Sequence, residues 1–112
     1  MSPITTHVLD TSRGKPATGI TVLLFHQQPN EWKELNRGIT DNNGRITSLL
    51  ADDWNLETGS YKLRFMTADY YELLSAACFY PLVEIIFEVT ANEHYHVPLL
   101  LNPFGYSTYR GS

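Results

Sequence analysis

Scarcity sets the first limits on this chain. A single cysteine, Cys78, is present, so no internal disulfide can form and no CxxC pair exists to hold zinc or exchange thiols. Its expected place is that of a small buried hydrophobe. Eight Lys and Arg stand against twelve Asp and Glu, for a net charge of -4, and the basic residues are scattered singly. Without a run or stripe of cations to neutralise successive phosphates, nucleic acid is not an expected partner. No apolar stretch approaches the roughly 18 residues of a membrane span. The opening Met1-Ser2-Pro3-Ile4-Thr5-Thr6 lacks the basic and apolar regions of a secretory leader. A cytoplasmic protein without membrane attachment is expected, unless a leader has been removed. Repeats, linkers and low-complexity tracts are also missing, so residues 1–112 are expected to form a single domain.

What is present favours a folded, strand-rich chain. Hydrophobic residues make up 43% and charged residues 18%, too apolar and too weakly charged for intrinsic disorder. A domain of this length buries roughly two-thirds of the surface its unfolded chain exposes. Short apolar and polar alternations recur between clusters of Gly, Pro, Asn and Asp, the pattern of a β-sandwich or barrel. Residues 4–10 and 20–27 read as strands, joined by turn material, TSRGKPATG. Residues 31–40 and 45–48 are weaker strands around Asp41-Asn42-Asn43-Gly44, residue types that suit a tight turn with positive φ. Residues 60–67 put Tyr61, Leu63 and Phe65 on one face. Residues 69–77 are the one expected helix, with Asp69 as cap and Glu72 at the reciprocal capping position. Residues 82–89 and 94–101 then send Val83, Ile85, Phe87, Val89, Tyr95, Val97, Leu99 and Leu101 into the core.

The same alternation turns the histidines outward. If Tyr95 and Val97 point inward, His94 and His96 face the opposite side of their sheet. With Ile4, Thr6 and Val8 inside, His7 leaves its strand on the outer side with Leu9. His7 and His96 share a face only if their two strands are neighbours, which periodicity does not decide. Each histidine alone reads most simply as a solvated strand residue. His94 and His96 form an H-x-H pair that would need a third ligand, His7 or Asp10, to close a metal site, and metal-free acid or base chemistry is the preferred reading. The tail Phe104–Ser112 is aromatic and strand-like almost to its last atom. A packed tail of this kind would fix a terminal carboxylate, the Ser112 hydroxyl and the Arg110 guanidinium, unless it simply closes a sheet edge.

Five segments together resemble the 5-hydroxyisourate hydrolases, a transthyretin-related family: His7-Val8-Leu9-Asp10, Gly14-Lys15-Pro16-Ala17, Gly44-Arg45, His94-Tyr95-His96-Val97-Pro98-Leu99-Leu100 and the closing Tyr109-Arg110-Gly111-Ser112. The likeness runs from His7 to Ser112, and the terminal tetrapeptide is its most specific part. It implies an all-β, transthyretin-like two-sheet sandwich of about eight strands with one short helix. It also implies a homotetramer, a dimer of dimers, with active sites in the channel between dimers. Carried over residue by residue, it implies His7, Arg45, His96 and Ser112 as catalytic residues. His7, Arg45, Tyr109, Arg110, Gly111 and Ser112 are implied as substrate-binding residues, and His94 is not carried over.

The reaction implied is hydrolysis of 5-hydroxyisourate to 2-oxo-4-hydroxy-4-carboxy-5-ureidoimidazoline in urate degradation, without cofactor or metal. Such a reaction needs a base for water, positive charge for the developing oxyanion, an acid for the leaving nitrogen and a clamp for the ring. Either His7 or His96 can serve as base, Arg45 suits ring binding and oxyanion stabilisation, and Ser112 suits hydrogen bonding rather than covalent attack. Two other readings stay open: a non-catalytic transthyretin-like binding protein, and a zinc-dependent hydrolase built on the H-x-H pair.

Overall fold

The computed structural model describes residues 1–112. Nine β segments and one helix follow in the order β1 (Ile4–Asp10), β2 (Lys15–Pro16), β3 (Thr21–Gln28), β4 (Glu31–Ile39), β5 (Arg45–Ile46), β6 (Gly59–Phe65), α1 (Thr67–Leu73), β7 (Val83–Val89), β8 (Tyr95–Asn102) and β9 (Gly105–Thr108). They form two sheets. One is ordered β2-β1-β8-β9, with β5 also paired to β1, and the other is ordered β4-β3-β6-β7. β2 and β5 are each two residues long: the weaker strand expected over 45–48 is shortened to Arg45–Ile46, and β2 is additional to the expected strands. Lys15–Pro16, expected as turn, pairs with Leu9 and Asp10.

The core lies between the sheets and is built as alternation requires. Ile4, Val8, Val22, Leu24, Tyr61, Leu63, Phe65, Val83, Val89 and Leu99 are all buried within one cluster. Seven of the eight core residues expected from the last two long strands are buried, and Phe87 packs against the cluster at its margin. β3 departs from simple alternation because its outer-facing Leu23 and Phe25 are buried too. On that outer face Lys62 Nζ lies 5.0 Å from the Phe25 ring and 4.6 Å from the Trp32 ring, and Arg64 covers Phe25 at 4.8 Å. The stems of the cations shield the aromatics while their heads reach Glu84. Cys78 is half-buried beside the core.

The helix begins two residues earlier than expected and ends at Leu73. Met66 stands at its cap and no side chain caps it; Asp69 lies inside the first turn, where a carboxylate still complements the helix dipole. What fixes the helix is tertiary. Tyr70 and Tyr71 are buried, and the Tyr70 hydroxyl donates to Asp10 Oδ2 at 2.7 Å, tying α1 to the end of β1. The tail also differs from expectation: regular pairing stops at Thr108, and one isolated bridge, His96 to Gly111, follows. No helix is long and apolar enough to cross a membrane.

Candidate active site

β1 and β8 are neighbours. They run parallel, with Thr5 opposite His96 and His7 opposite Pro98, so the condition for His7 and His96 to share the outer face is met. Inside, Thr6 satisfies its hydroxyl by donating to the Val97 carbonyl at 2.7 Å, which leaves Thr5 and His7 on the other side of the strand.

Arg45 reaches this face through a turn that its sequence prescribes. Asp41 Oδ1 accepts from Asn43 N at 2.8 Å and from Arg45 N at 3.0 Å, an aspartate side chain organising its own turn. Gly44 adopts φ +73°, and a Cβ there would stand 2.4 Å from the Val8 carbonyl oxygen. Only glycine permits both the conformation and the approach. The Gly44 carbonyl accepts from Val8 N at 2.8 Å, and the next residue pairs with β1 so that Arg45 stands opposite His7. Asp41 therefore holds the Arg45 backbone, and the guanidinium makes no ion pair with it.

The tail completes the face. Gly111 N donates to the His96 carbonyl at 2.8 Å, and a Cβ on Gly111 would come within 2.6 Å of His96 Cδ2. The missing side chain lets the last residues lie flat on the imidazole and delivers Ser112 beside it. The result is a cleft of about 380 Å³ lined by Thr5, Arg45, Thr47, His94, His96 and Ser112, with Met1 at its rim. Thr5 Oγ1 lies 2.9 Å from His94 Nε2 and 2.7 Å from His96 Nδ1. His96 is thus gripped through Nδ1 and stacked along Cδ2, and Nε2 is its nitrogen without a protein partner.

Charge on this face favours neutral imidazoles. Partial burial, then the Arg45 guanidinium, then His94 and His7 hold His96 below the ordinary imidazole pKa. Burial and Arg45 lower His7 in the same way, against smaller opposing effects of Asn43 and Asp41. A neutral histidine beside a fixed cation is the form in which a ring nitrogen accepts a proton while positive charge stands ready for an oxyanion.

Of the residues singled out from the sequence, the structure brings Arg45, His96 and Ser112 into the cleft, Gly111 against its wall, and His7 onto the same face beside Arg45. Tyr109 and Arg110 go elsewhere. They line a separate, more apolar depression of about 250 Å³ with Ile85, Phe87 and Tyr95. Arg110 there pairs with Glu93 at 3.0 Å and covers the Tyr95 ring at 4.5 Å. Regular strand pairing ends at Thr108, so alternation does not govern the residues beyond it, and Arg110 and Ser112 line different depressions. Thr5 and His94 are the site residues that sequence reasoning left unassigned; the H-x-H spacing was a signal for His94, and no motif singled out Thr5. Asp10, offered as a third metal ligand, accepts from Ser12 and Tyr70 at the far end of β1. No three His, Cys, Asp or Glu side chains are grouped to hold a metal ion.

The architecture defines the class of protein. A solved 5-hydroxyisourate hydrolase from Klebsiella pneumoniae superposes with a TM-score of 0.86 at 34% identity, covering 97% of this chain and 98% of that one. Sea bream transthyretin in complex with thyroxine superposes with a TM-score of 0.91 at 26% identity, covering 98% and 95%. The fold is therefore the transthyretin-like sandwich. At the level of sequence, the 5-hydroxyisourate hydrolase of Salmonella typhimurium is 44% identical over 97% of this chain and 80% of its own length. The mouse enzyme of the same name is 43% identical over 99% and 96%. The family's sequence profile matches residues 4–111, and the chain belongs to the HIUase/Transthyretin family.

Proposed function

We propose that this chain hydrolyses 5-hydroxyisourate, as its named relatives do, and that the cleft on the outer face of β1 and β8 is where it does so. The observation that carries this reading is the convergence of His96, Arg45 and Ser112, from three separate stretches of sequence, on one small polar cleft. Arg45 clamps the ring carbonyls and faces the developing oxyanion. A neutral imidazole, His96 through its unpartnered Nε2 or His7 beside Arg45, takes a proton from water. The water oxygen bonds to the amide carbon, the carbon–nitrogen bond of the six-membered ring breaks, and the histidine returns a proton to the leaving nitrogen. The expected product is the ring-opened 2-oxo-4-hydroxy-4-carboxy-5-ureidoimidazoline. Ser112 hydrogen-bonds substrate or water. No step calls for a cofactor. A homotetramer, assembled as a dimer of dimers, would cover this outer face, exclude bulk water and strengthen each of these interactions.

The second reading is a small-molecule carrier, favoured by the closer superposition on transthyretin. A carrier of an apolar ligand wants an apolar wall, whereas this cleft presents an arginine, two histidines and a serine at the chain end. The deciding experiment generates 5-hydroxyisourate in place from urate with urate oxidase and follows its ultraviolet decay with this protein and a strong chelator. Decay far above the spontaneous rate is expected. Recovery only on adding zinc would favour the metal-dependent reading, and no acceleration under either condition would favour the carrier.

A further inference from the structure

Thr5 is the most constrained group on this face, and the reaction scheme gives it no task. Its hydroxyl contacts two imidazoles at once, His94 Nε2 at 2.9 Å and His96 Nδ1 at 2.7 Å, from a side chain that is almost wholly buried. The two rings lie nearly parallel, with an interplanar angle of 22°. A hydroxyl has one proton to give and can accept from other donors. The two imidazoles are the partners of this buried hydroxyl, so its own proton is satisfied only when it donates to one ring and accepts from the other.

This requirement locks the tautomers in step. When Thr5 donates to His94 Nε2, His94 carries its proton on Nδ1. Thr5 then accepts from His96 Nδ1–H, and His96 Nε2 is a bare lone pair. When Thr5 donates to His96 Nδ1 instead, both rings carry their protons on Nε2, and the free nitrogen of His96 is no longer a base. We infer that Thr5 and His94 are positioning residues that set and exchange the proton on His96, through the hydroxyl bridge that joins His94 Nε2 to His96 Nδ1. The inference rests on the hydrolase reading above and assigns a task to two residues which that reading leaves idle.

The bridge also provides a proton path that balances. As His96 Nε2 gains the water proton, its Nδ1 proton passes to Thr5 Oγ1 and the Thr5 proton passes to His94 Nε2. His94 becomes the cation at the exposed end, and His96 remains neutral with its proton on Nε2. When that proton goes to the leaving nitrogen, the path runs backward and His94 returns to neutral. The charged and titratable groups around the pair are His7 on β1, Arg45 on β5, the chain termini at Met1 and Ser112, and Asp52, Asp53 and Glu93 beside His94. Arg45 raises the cost of a cation at His96, so a path that moves the proton on through Thr5 relieves that end.

The test separates this inference from the reading it rests on. Wild-type acceleration of 5-hydroxyisourate decay establishes the reading by itself. Long-range nitrogen–proton spectra of histidine-labelled wild-type protein at alkaline pH then report each tautomer without reference to activity. Neutral His94 and His96 are expected in matching tautomers, both protonated on Nδ1 or both on Nε2; opposite tautomers would overturn the inference. Thr5→Val keeps the shape and removes the bridge. It is expected to lower kcat about tenfold or more with KM within about twofold, and to move the acid limb of the pH profile. Thr5→Ser should restore most of kcat. His94→Leu should lower kcat at least several-fold with KM unchanged. Wild-type kcat and pH profile in both Thr5→Val and His94→Leu would leave the bridge without a function and the proposal refuted. The wild-type spectra and Thr5→Ser keep that judgement available if Thr5→Val fails to fold.

Discussion

Burial first and the Arg45 guanidinium second set the residue chemistry of the outer face. Burial and the Arg45 charge hold His96 and His7 below 6.5, so their neutral forms persist to lower pH than free imidazole allows. Under the proposed mechanism kcat/KM falls on the acid side with a midpoint below 6.5, measured as a pH–rate profile. Arg45→Gln removes a lowering influence, so the His96 titration followed by NMR should move upward toward 6.5. The sign for stability follows from the same shift. The unfolded chain takes up protons on these histidines as pH drops below about 6.5, before the folded chain does, so folding stability declines with acidification across that window. His96→Ala should leave folding intact and reduce turnover by roughly a hundredfold or more; near-normal turnover in a folded protein would remove His96 from the role of base. Gly111→Ala places a Cβ 2.6 Å from the His96 ring. It should displace Ser112 and cut turnover at least tenfold, by the scale on which small misplacements tell, with little change in the urea midpoint.

Among the elements, the turn from β4 to β5 decides whether Arg45 meets His7. Its residues, Asp41-Asn42-Asn43-Gly44, were legible as a positive-φ turn, and the structure adds the close approach to Val8 that explains why glycine ends it. Gly44→Ala should destabilise the fold by about 2–4 kcal/mol in urea titration, because a strained φ and a backbone clash act together. The helix shows the opposite case. Asp69 and Glu72 spell a capping box, yet the helix starts at Thr67, since burying Tyr70 and Tyr71 and bonding Tyr70 to Asp10 outweighs a cap worth about 1 kcal/mol. Lys15–Pro16 was hidden for a related reason: two residues carry no periodicity, and only the edge of β1 makes them a strand. Lys62 reads as an outward strand residue, and it is buried because Phe25 and Trp32 flank it. Trp32, which no motif explains, acquires a role in that stack.

At the scale of the whole molecule, the cleft lies on the outside of a sheet, open along one side. The proposed homotetramer would close it, and predicts that sedimentation gives a mass of four chains at assay concentration. Dilution to smaller species should lower specific activity, since the face would lose its cover. A fully active monomer would place all of the chemistry within one chain. The depression lined by Tyr109 and Arg110 does not share this dependence: Arg110 covers the Tyr95 ring there, so replacing Arg110 should act on tail packing before it acts on the cleft.

Alternation in the sequence determined which side of each long strand is apolar, because side chains of neighbouring strand residues must face opposite ways. From that alone the core residues of β7 and β8 and the outward direction of His7, His94 and His96 followed. Turn chemistry likewise prescribed glycine before Arg45. Pairing of β1 with β8 was beyond reach, since two strands separated by most of the chain become neighbours only when the whole sandwich closes. That closure set Thr5 beside His96, laid Gly111 against its ring and brought Ser112 into the cleft. It also turned Arg110 away, because regular pairing ends at Thr108 and the contacts with Glu93 and the Tyr95 ring, not strand alternation, place that residue beyond it.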